Sequence, residues 1–309
     1  MEWVHDVYLS FFGASVLIAP EYLALSLLLA FVLHRLRRVG TGFWAWAVPA
    51  RIWRHPSHRV DVQLFVIGRL LVFVGLFNRI SAASLVAVWV AGLMGSAGAG
   101  GGSVNPWLLA LLLFVAQDGT MYWLHRLYHT QALIWPIHAV HHKAEVMTPV
   151  TAYRQHPLAL IISAVLVSAI VGLVQGVVLG VVDPATTVSE VAGINTFIFG
   201  FALLFANFRH SHIWISFGPV LERIIISPAQ HQVHHSVAPE HHNKNFGDNF
   251  AIWDWMFGTL YVTRDVEDLT IGVLDATGAP EPGAGHLSDA LARPFRDMAA
   301  AWRARNTQN

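Results

Sequence analysis

Runs of apolar residues long enough to cross a lipid hydrocarbon core constrain this chain more than any other feature. A core about 30 Å thick needs roughly 20 apolar residues in a helix. Such runs lie near 15–34, within 62–95, and at 106–124, 158–181 and 189–208. With 55% hydrophobic and 12% charged residues and a mean hydropathy of +0.50, the bilayer is the expected solvent. The expectation is five crossings. Arg69, Asn78 and Arg79 interrupt the 62–95 run, which leaves open either one tilted span with an interfacial piece or a tight hairpin.

Loop charge orients these spans. Segment 34–60 carries Arg35, Arg37, Arg38, Arg51, Arg54 and Arg59 and no acidic residue, which marks it as cytoplasmic. With 62–95 as one net crossing, the N-terminus and the glycine-rich 92–103 segment are outside, and segments 125–156 and 209–242 are inside. Two full spans in 62–95 would instead put the basic loop and the histidines on opposite sides. The opening MEWVHDVYLS lacks a basic n-region and cleavage site, so the first apolar run is expected to stay as an anchor. Past Phe257 the chain turns polar, then Gly/Pro-rich, then amphipathic from about 288 to 304. Three regions follow: a membrane anchor at 1–104, a histidine-bearing region at 105–262 and a polar tail at 263–309.

Composition also excludes function classes. A net charge of zero removes the basic excess that nucleic-acid binding needs. The absence of cysteine excludes disulfides, thiolate metal sites, iron–sulfur clusters and cysteine nucleophiles. A bound metal must therefore use histidine, carboxylate or water.

Thirteen of the eighteen histidines fall between His125 and His242. HRLYH (His125, His129), HAVHH (His138, His141, His142) and HQVHH (His231, His234, His235) all have helical spacing, so each aims its imidazoles along one helix face. Ser227, Pro228 and Gln230 read as an N-cap, a first-turn proline and a capping-box partner, and Pro136 precedes His138 in the same way. Eight imidazoles exceed the four-coordination of one structural zinc, which argues for two ions that prefer nitrogen, such as iron or zinc. The paired Glu-x-x-His motifs of soluble di-iron bundles are absent, as are His-Glu-x-x-His, G-x-S-x-G and the P-loop.

These motifs, with D-x3-Y-W-x-H-R (Asp118–Arg126), RQHP (Arg154–Pro157), RHSHI (Arg209–Ile213), NFG (Asn245–Gly247) and WDWMFGT (Trp253–Thr259), resemble the integral-membrane fatty acid hydroxylase and sterol desaturase superfamily. The branch most similar is the bacterial one that also resembles alkylglycerol monooxygenases. The resemblance implies an all-α fold of polytopic membrane helices with a cytoplasmic histidine-rich helical cap, in the inner membrane. It implies two iron ions (a preparation could hold zinc instead), O2 as co-substrate, a lipid-like substrate, and hydroxylation or desaturation of an unactivated C–H bond. Carried over by position, the ligands are His125, His129, His138, His141, His142, His231, His234 and His235, with His210 added. His156 and His242 are further candidates. RQHP continues here with Leu-Ala where many relatives have a glutamate, and His212 stands where relatives often have asparagine. Asp118, two turns before His125, and Asp254 are candidates to orient the ligands, since metal-bound histidines usually donate their other N–H to a carboxylate or carbonyl.

Blander readings apply elsewhere. His5, His34, His55, His58 and His286 lack a partner at ligand spacing and read as structural, and His241 and His242 read equally as distant ligands or a solvated loop. For the three clusters a metal-free polar network is disfavoured, because desolvating so many imidazoles without an ion is unfavourable. A metal transporter would need ionisable residues deep within several spans; only Arg69 qualifies. A structural metal protein would need closed four-coordinate sites. With no haem- or flavin-binding motif, electrons must come from a separate reductase.

Overall fold

Proline opens helix after helix in this chain, because its fixed φ suits the first turn and its missing N–H is not needed there. The computed structural model describes residues 2–13, 16–75, 79–94, 105–181, 200, 205–275, 277–279, 281 and 285–307. The elements are α1 (Glu2–Phe12), α2 (Pro20–Leu36), short α3 (Phe43–Ala47) and α4 (Ala50–Trp53), α5 (Pro56–Phe73), α6 (Arg79–Met94), α7 (Pro106–Thr130), α8 (Trp135–His142) and α9 (Pro157–Val181). Single turns at Asn207–Arg209 and Gly218–Leu221 lead to α10 (Pro228–His234), α11 (Ile252–Phe257) and α12 (Leu287–Asn306). Among the described residues there is no strand, only isolated bridges at Ile225–Phe250 and Ser236–Ile271. The fold is all-helical, as expected.

The 62–95 stretch is two helices, α5 and α6. The direction of α6 follows from three glycines on α9. A Cβ on Gly172 would meet the Ala83 carbonyl oxygen at 2.5 Å, one on Gly176 the Val90 Cβ at 2.6 Å, and one on Gly180 the Met94 Cβ at 3.0 Å. The pairs advance together, so α6 and α9 run parallel in very close contact, the use to which small residues four apart are put between membrane helices. The last turns of α7 meet the first of α9, where the Tyr128 hydroxyl donates to the Ala159 carbonyl at 3.1 Å. So α7 arrives at the histidine end of the molecule, and α9 and α6 leave it.

The start of α5 also sits at that end: Val60 and Leu64 are buried with Val140 of α8. Nearby, Ala30, Leu33, Phe43 and Trp46 pack with Phe208, Ile213 and Ile215, and Arg37 donates to the Trp214 carbonyl at 2.6 Å. The arginine-rich 34–60 segment therefore lies at the same end of the molecule as both histidine segments, and α5 and α6 both lead away from it.

Polarity is distributed inside-out along the helices. On α6, Leu85, Val88, Trp89 and Leu93 are each at least 64% exposed, a cluster of large apolar side chains of the kind that marks a contact surface. Pro157–Val178 of α9 is the one described helix long and apolar enough to cross a membrane. Of the five crossings expected, 158–181 thus passes that test. The 15–34 run reduces to the 17-residue α2, 62–95 divides and 106–124 opens the 25-residue α7 without passing, while most of 189–208 lies outside the described residues.

The helix contact makes a prediction. Gly176→Leu overfills the α6–α9 seam and should lower stability by roughly 1–3 kcal/mol, whereas Gly92→Ala, with nothing within 4 Å of the new Cβ, should raise it by about 0.5–1 kcal/mol. Thermal unfolding in detergent reads both.

Candidate metal centre

The capping signals read in the sequence set up the histidine helices. Ser227 and Gln230 form a reciprocal capping box at the start of α10, which fixes His231, His234 and His235 within about two turns of a rigid helix start. The wholly buried Glu222 secures this cap by accepting from Ser227 Oγ at 2.7 Å and Thr263 N at 2.8 Å. On α8, the backing comes from Arg154, fully buried. Its Nε donates to the Val140 carbonyl at 2.7 Å, and its Nη1 donates to the Ser57 carbonyl at 3.1 Å and to Asp61 at 2.8 Å. Thr151 also donates to Asp61, at 2.6 Å.

Nine imidazoles converge into two adjoining clusters. His125, His129, His138, His142 and His234 form one, and His141, His210, His231 and His235 the other, with ligand atoms within 4.8 Å of one another in each. The helices are shared crosswise. From α8, His138 and His142 enter the five-histidine cluster and His141 the other; from α10, His231 and His235 enter the four-histidine cluster and His234 the other. This follows from helical spacing, since i and i+4 share a face that i+3 only partly overlaps. His142 and His235 stack at the boundary, ring centroids 4.4 Å apart.

The nitrogen spacings test whether a metal fits. His129 and His142 Nε2 lie 3.0 Å apart, and His142 and His138 3.2 Å. In the other cluster His210 is 3.2 Å from His141 and 3.0 Å from His231, and His231 is 3.3 Å from His235. With metal–nitrogen bonds of about 2.0–2.1 Å, neighbouring ligands of one ion stand about 3.0–3.4 Å apart. His125 and His234 Nε2 are buried with no hydrogen-bond partner, which native proteins rarely allow. The donor set is all imidazole, which suits iron, zinc or copper-type ions over magnesium or calcium.

Burial keeps these rings neutral, the form that binds metal. It pulls His138, His142, His210, His231, His234 and His235 well below the usual histidine value, with neighbouring imidazoles adding to the effect, and lowers His141 to about 3. Two rings are oriented by carbonyls: His125 Nδ1 donates to Phe246 O at 2.9 Å and His234 Nδ1 to Lys244 O at 2.7 Å. That leaves each Nε2 lone pair aimed inward.

Eight spacing-derived histidines and His210 thus all come together, while other expectations need correction. His156 is no part of either cluster. Its Nδ1 accepts from Leu158 N at 3.1 Å, capping α9, and its Nε2 meets the Leu291 carbonyl at 3.1 Å. His242 Nε2 lies 3.1 Å from the Val237 carbonyl on the exterior, and His241 pairs with Glu267 at 3.0 Å. Neither aspartate touches an imidazole. Asp118 accepts from Asn249 N at 2.9 Å, Phe250 N at 3.1 Å and Trp253 Nε1 at 2.9 Å, bolting α7 to the loop before α11. Asp254 accepts from Phe246 N and Gly247 N, both at 2.8 Å, so it acts on His125 only through the Phe246 peptide. Main-chain carbonyls do what the carboxylates were expected to do, and no side-chain pattern announces a carbonyl. The available signal was backbone chemistry: Asn243 and Asn245 have positive φ, which asparagine tolerates, and a Cβ on Gly247 would sit 2.4 Å from the Phe250 carbonyl oxygen.

Comparison with known proteins bears on the same segment. Residues 110–259, just under half of the chain and including all nine clustered histidines, match the family model described as "Fatty acid hydroxylase". In this segment the chain is similar to the fatty acid hydroxylase family. An alkylglycerol monooxygenase of Danio rerio is 32% identical over 163 residues, covering 53% of this chain and 32% of that protein. An ornithine lipid hydroxylase of Rhizobium tropici is 29% identical over 60% of this chain and 50% of its own. A Delta(7)-sterol 5(6)-desaturase of Aspergillus fumigatus is 28% identical over 60% and 54%. The match spans about a third of the monooxygenase and about half of the other two relatives. No solved structure matches.

Two predictions follow from this site. The folded state holds its histidines neutral, whereas the unfolded chain takes up protons below about pH 6.5. Stability of the metal-free protein should therefore be greatest above pH 6.5 and fall as the pH drops from there toward 3; thermal unfolding after chelation checks this. Asp254→Asn turns an amide N–H toward main-chain N–H groups, which should destabilise by roughly 1–3 kcal/mol and speed metal loss to a chelator.

Proposed function

We propose that this protein is an integral-membrane oxygenase that hydroxylates an unactivated C–H bond of a lipid-like substrate at a histidine-ligated di-iron centre. The observation that carries this reading is the pair of adjoining all-imidazole clusters, five and four, at the end of apolar helices. The family match and the lipid-modifying relatives support it.

His125, His129, His138, His142 and His234 would hold one ion and His141, His210, His231 and His235 the other. Bound there, the pair would supply dioxygen activation, so that R–H, O2, two electrons and two protons give R–OH and water. The chain's own work is to prepare that chemistry. Burial holds the imidazoles neutral, the Phe246 and Lys244 carbonyls set two of them, and the Arg154–Asp61 pair fixes the back of α8. The lipid-like substrate would approach from the apolar helix surfaces, and the electrons from a separate reductase. The arginine-rich 34–60 segment beside the histidines supports a cytoplasmic site, by the positive-inside rule, in a multi-pass inner-membrane protein.

A desaturase is the second reading, favoured by the sterol desaturase among the relatives. It uses the same centre but removes two hydrogens, giving an alkene and two waters.

Elemental analysis of the detergent-purified protein should find about two iron ions per chain. Changing His138, His141 and His142 together to alanine should abolish both, and His210→Ala should spare about one. A metal-free wild type that stays folded would end the dinuclear reading. Incubation of the loaded protein with lipids, reductant and labelled O2 then separates hydroxylase, with label in the product, from desaturase, with none.

A further inference from the structure

Helix α12 divides into three faces. On the first, Ala290 is buried with Val60, Leu64 and Val140, and Met298 packs against Leu124, Tyr128, Ile137 and Ala159. On the second, Ala292, Phe295, Ala299 and Trp302 recur at three, four and three residues, the spacing of one helix stripe. All four are exposed, Phe295 by 53% and Trp302 by 57%. Arg296 and Arg303, each one position beyond an aromatic residue, border this stripe and lead into a third face that also carries Asp289, Arg293 and Asp297.

Its position gives the second face meaning. The Phe295 ring lies 5.3 Å from that of His156, whose Nε2 meets the Leu291 carbonyl. The next residue, Pro157, opens α9, and Ile161 and Val165 of α9 are already exposed, by 44% and 61%. Helix α12 thus lies across the root of α9, where the apolar outer surface begins.

We infer that α12 is an in-plane membrane anchor, with Phe295 and Trp302 seated at the headgroup–acyl boundary and Arg296 and Arg303 on phospholipid phosphates. This goes beyond the proposed activity but rests on the reading of α9 as a bilayer span. An apolar stripe with aromatic residues, bordered by cations, is the pattern of a helix lying in the interface. Tryptophan is favoured there, and arginine keeps its head in the polar layer while its stem covers apolar surface. The fit to lipid is electrostatic as well as apolar, since the bordering charges are both positive and phospholipid headgroups present phosphate. Ala290 shares a buried cluster with Val140, the residue before His141, so the anchor is packed against α8.

The chain has no cysteine, so single labelling sites can be introduced cleanly. Nitroxide labels at Ala292→Cys and Ala299→Cys, on the anchor stripe, are compared with Ala300→Cys and Ala304→Cys, off it, and with Val165→Cys on α9. The full-length protein is placed in nanodiscs of phosphatidylcholine and phosphatidylglycerol, and collision with oxygen and with a water-soluble nickel chelate is measured. The expected result is oxygen over nickel at residues 292, 299 and 165, and the reverse at 300 and 304. Adding Phe295→Ser and Trp302→Ser should move the residue 299 label toward nickel while metal content stays unchanged. A water-exposed label at 299 with a lipid-exposed one at 165 overturns the anchor alone. Water exposure at 165 overturns the span and the anchor with it. Shielding of 299 from both probes indicates a protein partner instead and likewise overturns the proposal.

Discussion

Nine imidazoles withdrawn from water and pointed at one another form the constraint on which the rest of the structure depends. Each carries a lone pair that would otherwise accept from solvent, and leaving such an atom unsatisfied is unfavourable by about 1–3 kcal/mol. Nitrogens of His129, His138 and His142 in one cluster, and of all four histidines in the other, stand 3.0–3.3 Å from a neighbour's. Neutral rings cannot satisfy one another all round, since each has a single N–H. Metal cations held among the rings would resolve the arrangement, and the surrounding fold keeps the rings in place.

The supports are chosen for rigidity. Short helices with strong starts carry the clustered histidines, and the cap at Ser227 is itself held by the buried Glu222. Arg154 binds two backbone carbonyls and the Asp61 carboxylate without exposure to solvent, so breaking that pair would strand a buried charge. Outside this polar heart the gradient reverses, with valine, leucine and tryptophan outermost on α6 and glycine innermost on the α6–α9 seam.

Much of this was legible in the sequence, for reasons that differ by residue. Triplets at helical spacing and proline-led caps are local, so HAVHH and HQVHH revealed their faces directly. The arginines of 34–60 indicated which ends of the helices gather together. His210 has no partner at ligand spacing and came only through family resemblance, because its cluster is assembled from segments far apart in the chain. The aspartates misled because a carboxylate near a ligand in sequence need not be near it in space: Asp118 faces the Asn249 loop instead. The close α6–α9 contact was missed, because hydropathy alone hides the glycines that allow it.

The crosswise sharing of α8 and α10 has a consequence for assembly. Because each of these helices sends side chains into both clusters, an ion captured by either one would lock the rotation and separation of the pair, and so preset most of the donors of its neighbour. Loading would then be cooperative, with singly filled chains scarce at half-saturation. The two positions would behave as one unit in exchange with the cell's metal supply, although they differ in ligand number.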